Sequence, residues 1–200
     1  MLILVRHGEC VSNVNRQLLG RAESPLTSEG VRQMKALRPY IGPVATLTSS
    51  PLERAVESAE ILCAGVGIEI DPSWIEVDYG DFDLVSLKDL PLDVVRRSAS
   101  DPNFEFNGGE SWCDVRERVE RACVELFARE GERARSASAD VVVVSHVTPI
   151  KAAVAWATGV ASDVLLRLHL SNGSLTRISW RSDRPYLLSF NERPCQRRLG

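Results

Sequence analysis

The stretch Leu2-Ile3-Leu4-Val5-Arg6-His7-Gly8-Glu9-Cys10-Val11-Ser12-Asn13 begins with four consecutive aliphatic residues and then turns abruptly polar. An apolar run this short does not make a helix, and it predicts a strand buried on both faces. Arg6 and His7 fall where that strand ends. Gly8, just behind them, lets the backbone turn sharply and bring amide groups close to a ligand. A guanidinium binds a phosphate dianion through paired hydrogen bonds, so an imidazole held beside it at a strand end faces an environment suited to such an anion and is well placed for a nucleophile. Two polar residues at an ordinary strand-to-loop junction would look the same, and the dipeptide alone does not separate the two readings.

The same design recurs late in the chain. Val141 to Val144 are four β-branched residues in a row, the most strand-like segment present, and Ser145-His146 closes them. A helix is predicted from near Pro149, since proline suits a first turn. Ligands of an open parallel sheet bind in the crevice at the carboxyl ends of its strands, so His7 and His146 are expected to share one crevice. The third histidine, His169, has no such context and reads as structural.

Composition bounds the function. Two hundred residues with 44% hydrophobic content suit a single domain over 1–200 with one substantial core. A net charge of −3 supplies no field for nucleic acid or for a membrane surface. No apolar run approaches the ~20 residues a membrane span needs, and Met1 leads straight into the first strand, so a cytoplasmic protein is expected. The five cysteines are odd in number and lack paired metal-type spacing, which predicts reduced thiols. Cys10, beside the candidate site, reads as a small neutral residue.

The remaining segments alternate strand and helix. Arg16 to Ser28 is a polar loop, Thr27 or Ser28 caps a helix with Val31, Met34 and Leu37 on one face, and Pro39 ends it. Val44 to Thr48 is a second strand, and Pro51 opens a helix with Leu52, Ala55, Val56, Ala59 and Leu62 inward. Arg54 therefore sits near a helix N-terminus, itself an anion-binding position. Ile68 to Ile70 is a third short strand. Leu84 to Phe106 shows no clear periodicity and reads as part of a substrate lid spanning about 77–110. Gly108-Gly109-Glu110-Ser111 announces a long helix, whose charged run Glu130 to Arg135 reads as a solvated end. Asn172-Gly173 turns into strands around Leu175 to Trp180 and Tyr186 to Phe190, and a flexible basic tail follows from about residue 193. An α/β three-layer sandwich is predicted, with a mainly parallel central sheet flanked by helices and an antiparallel edge.

Arg6-His7-Gly8-Glu9 with Asn13 resembles the signature of the histidine phosphatase superfamily, which includes the phosphoglycerate mutases and the cobalamin-pathway phosphatases. Gly20-Arg21, Pro25-Leu26-Thr27 and Gly30 resemble its second block. Ser50-Pro51-Leu52-Glu53-Arg54-Ala55 resembles the block that delivers a second phosphate-binding arginine. Ile75-Glu76-Val77-Asp78-Tyr79-Gly80 resembles the block that places a proton-donating glutamate four residues before a glycine, and Gly108-Gly109-Glu110-Ser111 resembles another. Two departures stand out: Phe82-Asp83-Leu84 replaces the usual Trp-Glu-Gly, and Val147 replaces the glycine after the second histidine.

The resemblance covers nearly the whole chain and is closest to the small cofactor-independent phosphatases. It implies a metal-independent hydrolase acting on a small phosphorylated metabolite. His7 is the expected nucleophile and Glu76 the general acid and base, with Arg6, Asn13, Arg54 and a protonated His146 holding the phosphoryl oxygens. Gly20, Arg21, Glu110 and Ser111 are expected at the substrate pocket. It leaves a homodimer open. A phosphoglycerate mutase is the alternative, in which Arg96-Arg97 would bind the acid end of the substrate. A phosphoryl-binding protein without turnover is the distant one, since no catalytic group is lost.

Overall fold

The computed structural model describes residues 1–137, 139–179 and 184–194, with 131–137 described by backbone alone. Strands β1 (Leu2–Arg6), β2 (Val44–Ser49), β3 (Ile68–Ile70), β4 (Asp140–Ser145), β5 (Leu175–Ser179) and β6 (Tyr186–Glu192) form one sheet in the order β3-β2-β4-β1-β5-β6. The first four are mutually parallel, and β5 runs antiparallel between β1 and β6.

The two faces of the sheet are separated by the strand period. Leu2 and Leu4 with Val141 and Val143 pack against α5 (Trp112–Ala137) and α6 (Val147–Thr158). Ile3 and Val5 with Val142 and Val144 pack against α2 (Ser28–Leu37) and α3 (Glu53–Leu62). All eight strand side chains are fully buried, which is why neither run alternates with polar residues. Thr27 caps α2 by accepting from the Gly30 amide, and the helix ends at Leu37, just before Pro39. Gly159, in the left-handed region at φ 68°, closes α6.

Three shorter helices complete the set: α1 (Val11–Val14), α4 (Leu92–Ser100) and α7 (Ser162–Leu166). The expected lid thus contains a helix. Its periodicity is hidden because among its nine residues only Val94 is buried. The long helix α5 runs to Ala137, and Glu130, expected to be solvated, is instead buried against Arg129. The side chains of the rest of that charged run lie outside the described residues, as do Trp180, Cys195 and the tail beyond Pro194. The other four cysteines are free thiols.

Leu84 answers one of the two departures. The position carries no glycine, yet Leu84 has φ +64°, so the chain keeps a conformation that glycine favours. Its amide donates to Leu18 O and its carbonyl accepts from Gln17 Nε2, and these bonds hold it there. A branched side chain in this region costs roughly 1–2 kcal/mol, and Leu84 is 40% exposed, so little packing offsets that cost. Leu84→Gly is therefore expected to leave thermal stability equal or raised by up to about 1 kcal/mol, measured by denaturant titration. A loss above 1 kcal/mol would show that Leu84 packs usefully.

Candidate active site

Because β1 and β4 are parallel neighbours with Arg6 opposite Ser145, the residues just past each strand end are also neighbours. The His7 amide donates to Ser145 O at 3.0 Å, and the two imidazole rings lie 5.0 Å apart between centroids at 58°. β2 flanks β4 on the other side, and the Ser50 amide donates to Val144 O. Three strand ends thereby bring His7, His146 and the Ser50–Arg54 segment into one crevice.

Each group is oriented by a specific partner. His7 Nδ1 lies 2.7 Å from Gly8 O. A carbonyl can only accept, so Nδ1 carries the proton and Nε2 keeps its lone pair. His146 Nε2 shares a 2.7 Å hydrogen bond with Ser50 Oγ, while its buried Nδ1 has no partner among the described residues. Arg54, 1% exposed, donates from Nη1 to Ala22 O and from Nη2 to Gly20 O. Arg6 donates from Nη1 to Leu170 O at 2.6 Å. The Nε atoms of both arginines are buried without partners. Neither guanidinium makes a salt bridge among the described residues.

Glu76, buried at the start of the lid, is held by three backbone amides. Val77 and Thr148 donate to Oε1 and Val147 to Oε2. The last two belong to the first turn of α6, whose free N–H groups suit a carboxylate. Val147, the second departure from the family pattern, thus serves through its backbone. Asn13 Oδ1 accepts from the Cys10 amide, Cys10 Sγ and Asn172 Nδ2. Its own amide group remains available to a ligand among the described residues.

The four residues expected at the pocket make contacts within the protein, although Arg21 Nε is buried without a partner among the described residues. Arg21 pairs with Asp78 at 3.1 Å and Glu110 at 3.0 Å, and Glu110 also takes Arg118. Ser111 donates to Asp114 at the start of α5. Gly20 contributes its carbonyl to Arg54, and a Cβ there would lie 2.7 Å from Val77 O. Gly80, at φ +52°, meets the Asn107–Gly108 backbone, and Gly109 meets that of Asp78, so a side chain at either would push the two loops apart. These residues clamp the loops that build the site.

Sequence reasoning missed two members. Asp83 accepts the Gly20 and Ala22 amides at 2.8 and 2.7 Å, and so fixes the two carbonyls that grip Arg54. Lys151, buried on α6, is pushed down from its ordinary pKa by desolvation, with the charge of Glu76 opposing. A lysine as the one charged residue of α6, five residues after His146, was the available signal.

Desolvation and then the two arginines shape the titration of the site. Burial lowers the Arg6 pKa to about 10 despite the counter-charge of Glu76, and lowers that of Arg54 as well. Burial, then Arg54, pushes both histidines well below the usual imidazole range. His146, expected to be protonated, is therefore neutral near pH 7 when no anion is bound. In the unfolded chain both rings take up protons near pH 6.5 while the native rings do not, so stability falls as the pH drops below that value. The expected slope is at most about 1.4 kcal/mol per pH unit for each ring. Thermal denaturation between pH 5 and 7 should show a shallower slope in His146→Gln. An unchanged slope would mean that the native ring already carries its proton.

These strand-end histidines, caged by arginines on a mainly parallel sheet, define a class. The pattern described as "Histidine phosphatase superfamily (branch 1)" matches residues 2–193, and the chain belongs to that superfamily. Among relatives, the bifunctional protein Rv2228c of Mycobacterium tuberculosis is 33% identical over 191 residues, covering 91% of this chain and 50% of its own. The chain thus spans about half the length of that curated relative. The probable phosphoglycerate mutase GpmB of Cronobacter sakazakii is 31% identical over 197 residues, covering 93% of this chain and 87% of its own. Among solved structures, mycobacterial glucosyl-3-phosphoglycerate phosphatase Rv2419c, in complex with VO3, superposes with a TM-score of 0.85 at 27% identity, covering 95% of this chain and 98% of its own. Mycobacterial hydrolase 1 gives 0.86 at 26%, covering 96% and 98%. Among the described residues, no helix is long and apolar enough to cross a membrane.

Proposed function

We propose that this protein hydrolyses small phosphomonoesters through a phosphohistidine on His7. One observation carries the reading. Two guanidiniums of the crevice, Arg6 at the end of β1 and Arg54 in the first turn of α3, hold only backbone carbonyls, with orphaned Nε atoms and an orphaned His146 Nδ1. Buried charge is ordinarily paired, and unmet buried donors cost about 1–3 kcal/mol each, so the missing partner is an anion brought by the substrate. A phosphoryl group fits, since its transition state spreads charge over three equatorial oxygens and needs a fixed cage of donors.

His7 Nε2 attacks phosphorus as the P–O ester bond breaks, and Glu76 gives its proton to the departing oxygen. Water then attacks phosphorus, Glu76 takes a proton from it, and the P–N bond breaks to release phosphate and free His7. Arg6, Arg54, Asn13 and His146 hold the oxygens, and the bound dianion favours the protonated form of His146. The charge is met without a metal ion, and activity should survive EDTA. Rapid quenching with ³²P-labelled substrate should give an acid-labile, base-stable adduct that maps to His7. Label on Cys10 would refute the mechanism.

The GpmB relatives favour a mutase as second reading. Against it, Arg96 and Arg97 are exposed, and Arg97 stacks on Phe104 at 4.6 Å.

A further inference from the structure

Beside Glu76 a cavity of about 210 Å³ opens between α4, the 77–79 segment and α6. Its walls are Leu18, Val94, Val95, Phe104, Phe106 and Trp112, with polar edges at Tyr79, Thr148 and Ser98. One of these edges adjoins the chemistry: the Thr148 amide donates to Glu76. The cavity therefore begins where a leaving group would take its proton. Phe106 packs edge-on against both Tyr79 and Phe104, at 4.8 and 5.1 Å between ring centroids, which stiffens the wall.

Charge narrows what this space can hold. Asp101 is the one charged side chain lining it among the described residues, and no basic side chain does. Two nearby arginines are paired with carboxylates, Arg21 with Asp78 and Glu110 and Arg118 with Glu110, while the exposed Arg97 stacks on the ring of the Phe104 wall without lining the cavity itself. Lys151 does not line it. A substrate carboxylate placed here would lose its water, gain no cation and face Asp101.

Resting on the phosphatase reading, we propose that the organic half of the substrate fills this cavity. The substrates are then monophosphates of apolar alcohols, aliphatic or aromatic, without a second anionic group. The volume suits them, since roughly 150 Å³ suffices for a benzene ring.

Two measurements test this separately from catalysis. Alkyl phosphates from ethyl to hexyl have leaving groups of similar basicity, so kcat/KM should rise with chain length by up to about fourfold per methylene until the cavity is full. Hexyl phosphate should then exceed 3-phosphoglycerate and phosphoserine. The matching alkylphosphonates, whose P–C bond is not hydrolysed, should show the same trend in calorimetric Kd. Val95 lines the cavity yet is 41% exposed, so Val95→Lys is compatible with the fold. This variant should flatten the chain-length trend and tighten 3-phosphoglycerate. Ethyl- and hexylphosphonate binding alike, or 3-phosphoglycerate binding tighter than hexylphosphonate to the wild type, would overturn the proposal whatever the activity. A chain-length trend in phosphonate Kd without hydrolysis of any ester would keep the pocket and sink the phosphatase reading instead.

Discussion

Alanine in place of His7 is expected to lower turnover by on the order of 10⁴–10⁶-fold, the scale on which removing a covalent nucleophile acts. The fold should survive. Among the described residues the imidazole makes one side-chain hydrogen bond, to the carbonyl of its own neighbour Gly8, and removing it takes away a desolvated ring beside two guanidiniums. The phosphate cage also remains, because Arg6 and Arg54 are held by Leu170, Ala22 and Gly20 and not by His7. The variant should therefore melt within a few degrees of the wild type and still bind orthophosphate by calorimetry, while losing both turnover and the labelled adduct. Turnover within tenfold of the wild type would place the nucleophile elsewhere.

Glu76→Gln is expected to slow hydrolysis of alkyl phosphates by about 10²–10⁴-fold, the range of a general acid–base group. The loss should shrink with p-nitrophenyl phosphate, whose phenolate leaves without a proton. The structure adds a second consequence. Both carboxylate oxygens accept amides, so the NH₂ of glutamine must confront at least one N–H donor, either Val147 on one side or Val77 and Thr148 on the other. That mismatch should cost about 1–3 kcal/mol of stability. Comparing two substrates in the same variant separates the two effects, because misfolding reduces both rates equally and loss of the acid does not. Equal losses for both substrates would remove Glu76 from proton transfer.

The residues of the crevice were legible because they depend on local pattern. A four-residue aliphatic run followed by Arg-His-Gly, and a four-valine run followed by Ser-His, each announce a buried strand and the group at its end. Parallel pairing of β1 with β4 then leaves the two imidazoles little choice but to meet. Arg54 was legible less directly: Pro51 was expected to open the helix, whereas α3 begins at Glu53 with Leu52 as its N-cap, which still leaves Arg54 in the first turn. Leu84 shows the limit of such reading: the residue type suggested that the turn had changed, while the hydrogen bonds to Leu18 and Gln17 kept the backbone in place.

By itself, the sequence determined the layers of the sandwich, the strand-end histidines with Arg6, and the helix that carries Arg54, all from periodicity and punctuation within about ten residues. Glu76, four residues before Gly80, was singled out by the family resemblance. Only the tertiary structure decided how the polar groups were shared out. Arg21 and Glu110 are 89 residues apart and neutralise each other, Asp83 steadies Arg54 through the 20–22 loop, and α6 offers its amides to Glu76 from some 70 residues away. It likewise decided that burial and the arginines push both histidines below the usual imidazole range, and that an apolar cavity is lined by Val77 and Thr148, whose amides hold Glu76. Ionisation and pocket shape depend on which distant groups exclude water from a given atom, and that is a property of packing in space and not of neighbours along the chain.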